Sequence, residues 1–520
     1  MEFHRASGIL LHPTSLPGRY GIGDLGRNAY RFVDYLVGLG QTYWQILPLG
    51  PTSFGDSPYQ TLSAMAGNPN LVSLDMLVEA GWLTPQDVMS VPNFPRYQVD
   101  YGNVIIYHDK MLNTAYQRFA QNKESAARTR FEAWCKANTD WLDDFALFVA
   151  LKDSYEGRPW TMWDKKEALR DPAALAAART KHATAIESHK FRQWLFFEQW
   201  AQLKAYATSK GIRFIGDIPI FVAHDSSDVW ANPHLFYLDR DGNPTVVAGV
   251  PPDYFSATGQ RWGNPLYRWD VMDKDNYAWW VKRFQMTYQV VDIARIDHFR
   301  GFEAYWEIPA TEPTAVVGKW VPGPNKAFFE AMKKALKDLP IIAEDLGVIT
   351  PGVEALRDGF HLPGMKVLQF AFGYDPHGEN AFLPHNYVYN CVVYSGTHDN
   401  NTSLGWWQSD EASGDARRHL EAYLGHPVKE ANVDLMRLGM SSVAHTFIAP
   451  LQDVLGFGAD TRMNTPGKLG GNWTWRFGEE WFDHPVRERY ATLTRQFGRW
   501  NPPPVRDTSQ PKDWAVSQKE

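Results

Sequence analysis

The segment ARIDHFRGF, residues 294–302, puts Arg295, Asp297, His298 and Arg300 directly behind the apolar pair Val290 and Val291. Buried strands carry apolar side chains, so charge at the end of one signals either a solvated loop or a pocket that needs charge on a rigid edge. The rest of the chain favours the pocket. Five further apolar runs have the same look: TYWQILPLGP (42–51), IRFIGDIPIFV (212–222), LPIIAEDLGV (339–348), GMKVLQFAFG (364–373) and CVVYSGTHDN (391–400). Each is short, rich in β-branched or aromatic residues and bounded by Gly, Pro or Asp, which is how a fully buried parallel strand reads. Helical periodicity falls between them, at 277–288 and at 325–339, where NKAFFEAMKKALKDLP closes on a proline. Repeated βα units predict a parallel sheet.

In four of the runs an acid follows the apolar residues: Asp217, Asp297, Glu344 and Asp399. Acids at the C-terminal ends of several different strands point to one site on the top face of a barrel, so the expected fold is α/β, a (β/α)₈ TIM barrel. An open doubly wound sheet would carry a glycine-rich phosphate loop at its first turn. The glycines of GRYGIGDLG (18–26) lack that strand–turn–helix setting and read as a loop. The acids lie further apart than the roughly 31 residues of a plain βα unit, so the barrel carries insertions. Residues 71–189 have helical composition and little strand signal, and read as an inserted helical subdomain between barrel segments 1–70 and 190–520. The stretch VAGVPPDYFSATGQRWGNPLYRW (247–269) is too irregular for an element and too aromatic for a linker, so it reads as a lid or binding loop.

Bulk composition removes several function classes. A net charge of −7 without a basic run argues against nucleic acid as a partner. No apolar run approaches the ~18 residues of a membrane span, and the start of the chain has no signal-peptide core, so a cytoplasmic protein is expected. The two cysteines, Cys135 and Cys391, form no disulfide framework or metal site. No HExxH or G-x-S-x-G spacing occurs, which sets aside zincin and serine-hydrolase chemistry; neither metal nor cofactor is expected. Aromatics reach 14%, which fits a ring-rich core and sugar stacking equally well.

Three carboxylates beside two basic groups suit acetal chemistry, where one carboxyl donates a proton and another traps the cationic sugar. Alternation puts Arg295 and Asp297 on one strand face. The guanidinium should hold Asp297 ionised, as a nucleophile must be. Glu344 follows the apolar Ile341-Ile342-Ala343 with no adjacent cation, so its pKa should rise, as a general acid requires. Asp345 alternates away and is expected to serve structure, as are His298 and Arg300.

The blocks GDIPIFV, RIDHFRGF, AEDLG and GTHDNNT, in this order, resemble the 4-α-glucanotransferases, the amylomaltases or disproportionating enzymes related to the α-amylases. The likeness begins at SGILLHPTSLPGRYGIGDLG (7–26), runs through YWQILPLGPTSFGDSPYQ and RWGNPLYRW, and ends near RMNTPG and NWTWRF. It implies Asp297 as nucleophile, Glu344 as general acid/base and Asp399 as the carboxylate that distorts the sugar. It further implies Arg295, His398 and Asp217 as partners at that sugar, with the Tyr59 ring stacked beneath it. Asp253, Tyr254, Phe255 and Ser256 would approach the glucan from the lid, with Gln260, Trp262, Phe370 and Asn464 along the groove; Asp375 falls where the likeness slips by a residue. Phe54 stands where some members carry Tyr. The implied partners are an α-1,4-glucan donor and a glucose or maltooligosaccharide acceptor, and nothing in the sequence sets an oligomeric state. A retaining α-amylase-like hydrolase and a non-catalytic glucan-binding protein are the alternatives.

Overall fold

A computed structural model of the chain describes residues 3–252, 256–468 and 470–500. Eight parallel strands form one sheet: β1 (Ala6–Leu10), β2 (Tyr43–Gln45), β3 (Arg213–Pro219), β4 (Ile293–Asp297), β5 (Ile341–Ala343), β6 (Gly364–Val367), β7 (Cys391–Tyr394) and β8 (Thr446–Pro450). Each pairs with the next in chain order from β1 to β5 and from β6 to β8, and β8 returns to β1. The remaining seam, between β5 and β6, is bridged where Ala343 N–H donates to the Pro363 carbonyl at 2.9 Å. The sheet is thereby a barrel, as the rim acids require. Helices cover it outside, among them Arg27–Gly38, Ala278–Val290, Asn325–Leu336 and Pro351–Gly359. In Asn325–Leu336 the residues Phe328, Phe329 and Met332 share one face at helical spacing and are fully buried. Phe328 meets Phe302, just past β4, with ring centroids 4.6 Å apart, so helix packing braces the rim that carries Asp297.

The six strands expected from sequence are β2 to β7. The first and last strands, ASGIL and TFIAP, went unread because their apolar runs are short and interrupted by Ser, Gly or Pro. Gly8 of β1 shows why: a Cβ there would sit 2.5 Å from the Tyr43 carbonyl oxygen on β2, so the closed barrel leaves no room for a side chain.

Between residues 71 and 189 the structure holds helices, including Tyr101–Gln121, Ala126–Ala137 and Thr139–Ser154. The expected boundary at 189 falls inside the helix Ala183–Ser209, which runs on to deliver β3. The 247–269 stretch departs from the irregular loop read in its composition. Strands Val246–Val250 and Gln260–Pro265 bracket it as a hairpin, and with Ala304–Pro309 and Lys319–Pro322 they make a second, antiparallel sheet of four strands. Its glycines and prolines hid the alternation. Most rings of the aromatic-rich composition serve the core: Trp44, Trp160, Trp194, Trp200, Trp230 and Trp280 are fully buried.

Candidate active site

The third, fourth and fifth strands deliver their charges to one point. Register pairs Asp217 with Arg295 and Pro219 with Asp297. Arg295 Nη1 lies 2.6 Å from Asp217 Oδ2 and 3.0 Å from Asp297 Oδ1, so alternation puts Arg295 and Asp297 on one face as read from sequence. Asp217 is enclosed, whereas the Asp297 side chain keeps 32% of its surface open. Asp217 Oδ2 also accepts from the Tyr59 hydroxyl at 2.8 Å.

Glu344 directly follows β5. Its Oε2 accepts from His298 N–H at 2.6 Å and its Oε1 from Leu346 N–H at 2.9 Å. His298 sits at φ 55°, a left-handed conformation that costs a non-glycine residue energy and here turns its N–H onto Glu344. The His298 ring stands edge-on to Trp262, centroids 4.8 Å apart. Arg300 bonds the Val348 carbonyl and stacks on Trp320 at 3.8 Å, which holds the loops after β4 and β5 together. Asp345 faces away, pairing with Arg357 and accepting from Met365 N–H at 2.7 Å.

Asp399 lies five residues beyond the end of β7, in a loop rather than on the strand. His398 Nε2 is 3.3 Å from Asp399 Oδ2, Asn464 Nδ2 donates to Oδ1 at 2.6 Å, and Arg462 Nη2 donates to the Asp399 carbonyl at 2.7 Å. The Asp399 carboxylate stays 46% exposed. Tyr59 stacks on His398 at 5.2 Å, and Trp473 packs on both rings at 5.9 Å. Sequence reasoning passed over Trp473 and Arg462, although both stand in the quoted blocks NWTWRF and RMNTPG; position within those blocks was the only signal.

The electrostatics correct one expectation. Arg295 does pull Asp297 down, but burial, with Asp217 and Asp399 nearby, outweighs it, and the carboxyl is pushed up to about 6. Burial likewise raises Glu344, to about 7, with Asp297 adding to the effect and Arg295 opposing it. The guanidinium therefore reaches Glu344 as well, though no cation adjoins it in sequence. For Asp399, burial is overcome by His398, Asn464 and Arg295, and the carboxyl falls well below the usual range. The same pairing raises His398 against the effect of burial. One pocket thus holds an Asp399 kept ionised by its partners and a pair, Asp297 and Glu344, whose carboxyls are both raised by burial and by each other's charge, so that the pair keeps a proton to higher pH than free carboxyls do, as glycosidic bond cleavage requires.

Around this centre the groove residues are less uniformly placed. Trp262 Nε1 donates to Gln260 Oε1 at 3.1 Å on the hairpin strand, and Ser256 Oγ donates to the Gly259 carbonyl at 2.8 Å, closing the hairpin tip. Asp253, Tyr254 and Phe255, and the side chain of Phe54, lie outside the described residues. Phe370 is 40% exposed and edge-on to Phe382. Asp375 accepts from three backbone N–H groups of its own loop, those of His377, Glu379 and Asn380.

A closed parallel barrel with a carboxylate triad around an arginine defines the class: an enzyme built to act on a glycosidic bond. The family model for 4-α-glucanotransferase, glycoside hydrolase family 77, matches residues 11–480, and the chain belongs to that family. A 4-α-glucanotransferase of Synechocystis is 52% identical over 499 residues, 95% of this chain and 98% of that one. A second, from Thermus thermophilus, is 50% identical over 503 residues, covering 94% and 98%. The solved amylomaltase of Streptococcus agalactiae, in complex with acarbose, superposes with a TM-score of 0.92 at 41% identity, over 96% of this chain and all of that one. An amylomaltase from Corynebacterium glutamicum shares the fold, with a TM-score of 0.78 at 16% identity over 94% of this chain and 75% of that one.

Proposed function

We propose that the chain is a 4-α-glucanotransferase that moves segments of α-1,4-glucan to the 4-hydroxyl of an acceptor sugar by retaining double displacement. The observation that carries the reading is the convergence of Asp297, Glu344 and Asp399 at one end of the barrel, with Arg295 bonded between Asp217 and Asp297. In the first half-reaction Glu344 gives its proton to the glycosidic oxygen while Asp297 bonds the anomeric carbon, and the C–O bond breaks to release the donor's reducing-end fragment. In the second, ionised Glu344 takes the proton of an acceptor 4-hydroxyl. That oxygen attacks the anomeric carbon and displaces Asp297. Asp399, held by His398 and Asn464, bonds the sugar hydroxyls and stabilises the distorted ring. Tyr59 supplies a face beneath that sugar, and Asp217 fixes Arg295.

Transfer prevails over hydrolysis when an acceptor, rather than water, meets the covalent intermediate. The hairpin at 246–265 beside Trp262 and His298 supports that exclusion. No helix among the described residues is long and apolar enough to cross a membrane. The free thiols of Cys135 and Cys391 support a reducing, cytoplasmic setting. Incubation with maltotriose tests the reading: a ladder of longer oligosaccharides with free glucose is expected. Maltose and glucose alone would make the protein a hydrolase, and intact maltotriose would make it a binder.

A further inference from the structure

Three consecutive residues past β4 each reach the loop that carries Glu344. His298 N–H donates to Glu344 Oε2 at 2.6 Å, Phe299 N–H donates to the Glu344 carbonyl at 3.1 Å, and Arg300 Nη1 donates to the Val348 carbonyl. The first two grips are backbone; the third is a side chain. It falls where the loop has least packing of its own. Beyond Leu346 both Gly347 and Val348 are exposed, Val348 by 59%, and the next helix begins at Pro351. Leu346 N–H is itself the second donor to Glu344, reaching Oε1 at 2.9 Å.

Arg300 is 5% exposed. Burial lowers its pKa, opposed by the charge of Glu303, and its Nε is enclosed without a partner among the described residues. What holds the guanidinium is the Val348 carbonyl and the Trp320 ring, whose centroid lies 3.8 Å from Cζ. Trp320 stands on the edge strand Lys319–Pro322 of the second sheet, where its cross-strand partner Trp306 meets it edge-on at 5.2 Å. A buried cation compensated by a carbonyl and a ring is a poor source of stability, since an apolar side chain of similar volume would cost less. It is a good source of direction, because a planar guanidinium stacked on a ring keeps its N–H groups in one plane.

We propose that Arg300, steadied by Trp320, is a positioning residue for the general acid/base: its bond to the Val348 carbonyl keeps the 344–348 loop drawn against residues 298–299 and so holds the Glu344 carboxyl toward the scissile oxygen. Without that bond the exposed 347–348 segment swings outward, and the His298 and Leu346 N–H groups come away from Glu344. Those two bonds lower the Glu344 pKa against burial, so their loss raises it. The other titrating groups of the pocket are Arg295 and Asp297 on β4, Asp217 on β3, and His398 and Asp399 beyond β7, with Asp345 and Arg357 paired behind the loop. The His298 ring is pushed down to about 3, by burial foremost and by Arg300, and stays neutral where the enzyme works.

The proposal rests on the glucanotransferase reading, whose failure appears separately, as absence of transfer from maltotriose by the unsubstituted protein. Arg300→Met keeps a long side chain against Trp320 but has nothing to donate to the Val348 carbonyl. It should lower kcat for maltotriose disproportionation about tenfold with KM within about twofold. The alkaline limb of its kcat/KM profile should move up by about half a pH unit or more. A displaced acid matters when the leaving group needs a proton. Single-turnover release of fluoride from α-maltotriosyl fluoride, where fluoride leaves unprotonated, should therefore fall by less than about twofold. Full kcat on maltotriose, an unmoved alkaline limb, or equal losses on the two donors would each overturn the proposal. Trp320→Leu tests the support, and replaces Arg300→Met should that variant not fold. It should show a several-fold loss on maltotriose with the same sparing of the fluoride, and Trp320→Phe, which restores a ring, should recover most of it. The double variant should cost no more than Arg300→Met alone. Equal losses in the Leu and Phe variants, or losses that multiply in the double variant, would also overturn it.

Discussion

Asp297 and Glu344 differ by little in chemistry and by much in surroundings. Asp297 shares Arg295 with Asp217, whereas Glu344 is held by two backbone N–H groups, from His298 and Leu346. Both are raised by burial, Asp297 to about 6 and Glu344 to about 7. The sign of the pH dependence follows. The two titrate as a pair: at low pH both carboxyls are protonated and the nucleophile is lost, and at high pH neither is and the acid is lost. The pair should therefore produce a bell-shaped kcat/KM profile for maltotriose, with its maximum between these values and a fall of about tenfold per pH unit beyond either limb. A flat profile from pH 5 to 9 would contradict the acid/base assignment. Replacement of the nucleophile is the sharper test. Asp297→Ala should lower turnover by at least about 10³-fold while calorimetry still registers glucan binding, because Tyr59, His398 and Asp399 remain in place. Full activity in that variant would refute the role.

At the scale of elements, the hairpin Val246–Val250 and Gln260–Pro265 connects the site to the second sheet. Its turn closes on Gly259 at φ 65°, where an added Cβ would lie 2.4 Å from the Val250 carbonyl oxygen and 2.7 Å from the Pro251 carbonyl carbon. Both are backbone atoms, so the hairpin tip must shift to admit a side chain. Gly259→Ala should lower stability by more than about 1 kcal/mol, because an alanine at positive φ is strained and its Cβ meets backbone. It should raise the ratio of hydrolysis to transfer by about threefold or more, read as the net gain of reducing ends, which transfer leaves constant, against the oligosaccharide ladder, since a displaced lid admits water to the intermediate. An unchanged ratio would separate the hairpin from acceptor selection.

Across the whole molecule, barrel closure depends on chain segments far apart in sequence. Arg499 is fully buried at the start of β1 and donates to the carbonyls of Ala6 at 2.8 Å, Met440 at 2.9 Å and Ala444 at 2.9 Å. Its contacts are backbone carbonyls rather than a carboxylate, and burial, with Arg5 nearby, pushes it down to about 9. The guanidinium ties residues near both ends of the chain to the loop before β8, on the side of the barrel opposite the catalytic rim. Arg499→Met should strip those carbonyls of their partner and destabilise the fold by about 3 kcal/mol. Thermal unfolding would register this as a lower Tm, with kcat at 25 °C within about twofold of the parent because no catalytic group moves.

Sequence alone reached the barrel and put three carboxylates forward as its site, because both readings rest on local signals. An apolar run followed by an acid is legible wherever it occurs, and alternation puts Arg295 and Asp297 on one face and sets Asp345 apart from Glu344. Two strands escaped that reading. Gly8 is set by the close approach of Tyr43 on β2, and the periodicity of its own strand carries no trace of it. The hairpin strands beside Trp262 were hidden in the same way, by turn residues that only pairing explains. Charge was the other limit. The cation beside Asp297 in sequence suggested a lowered pKa, yet closure of the barrel also brings Asp217, Asp399 and a dry wall to the same carboxyl, and their sum reverses the sign. The sequence by itself put the charged groups forward; the direction in which each is shifted was decided only when eight strands closed, because Coulomb and desolvation effects depend on distances that no single segment contains.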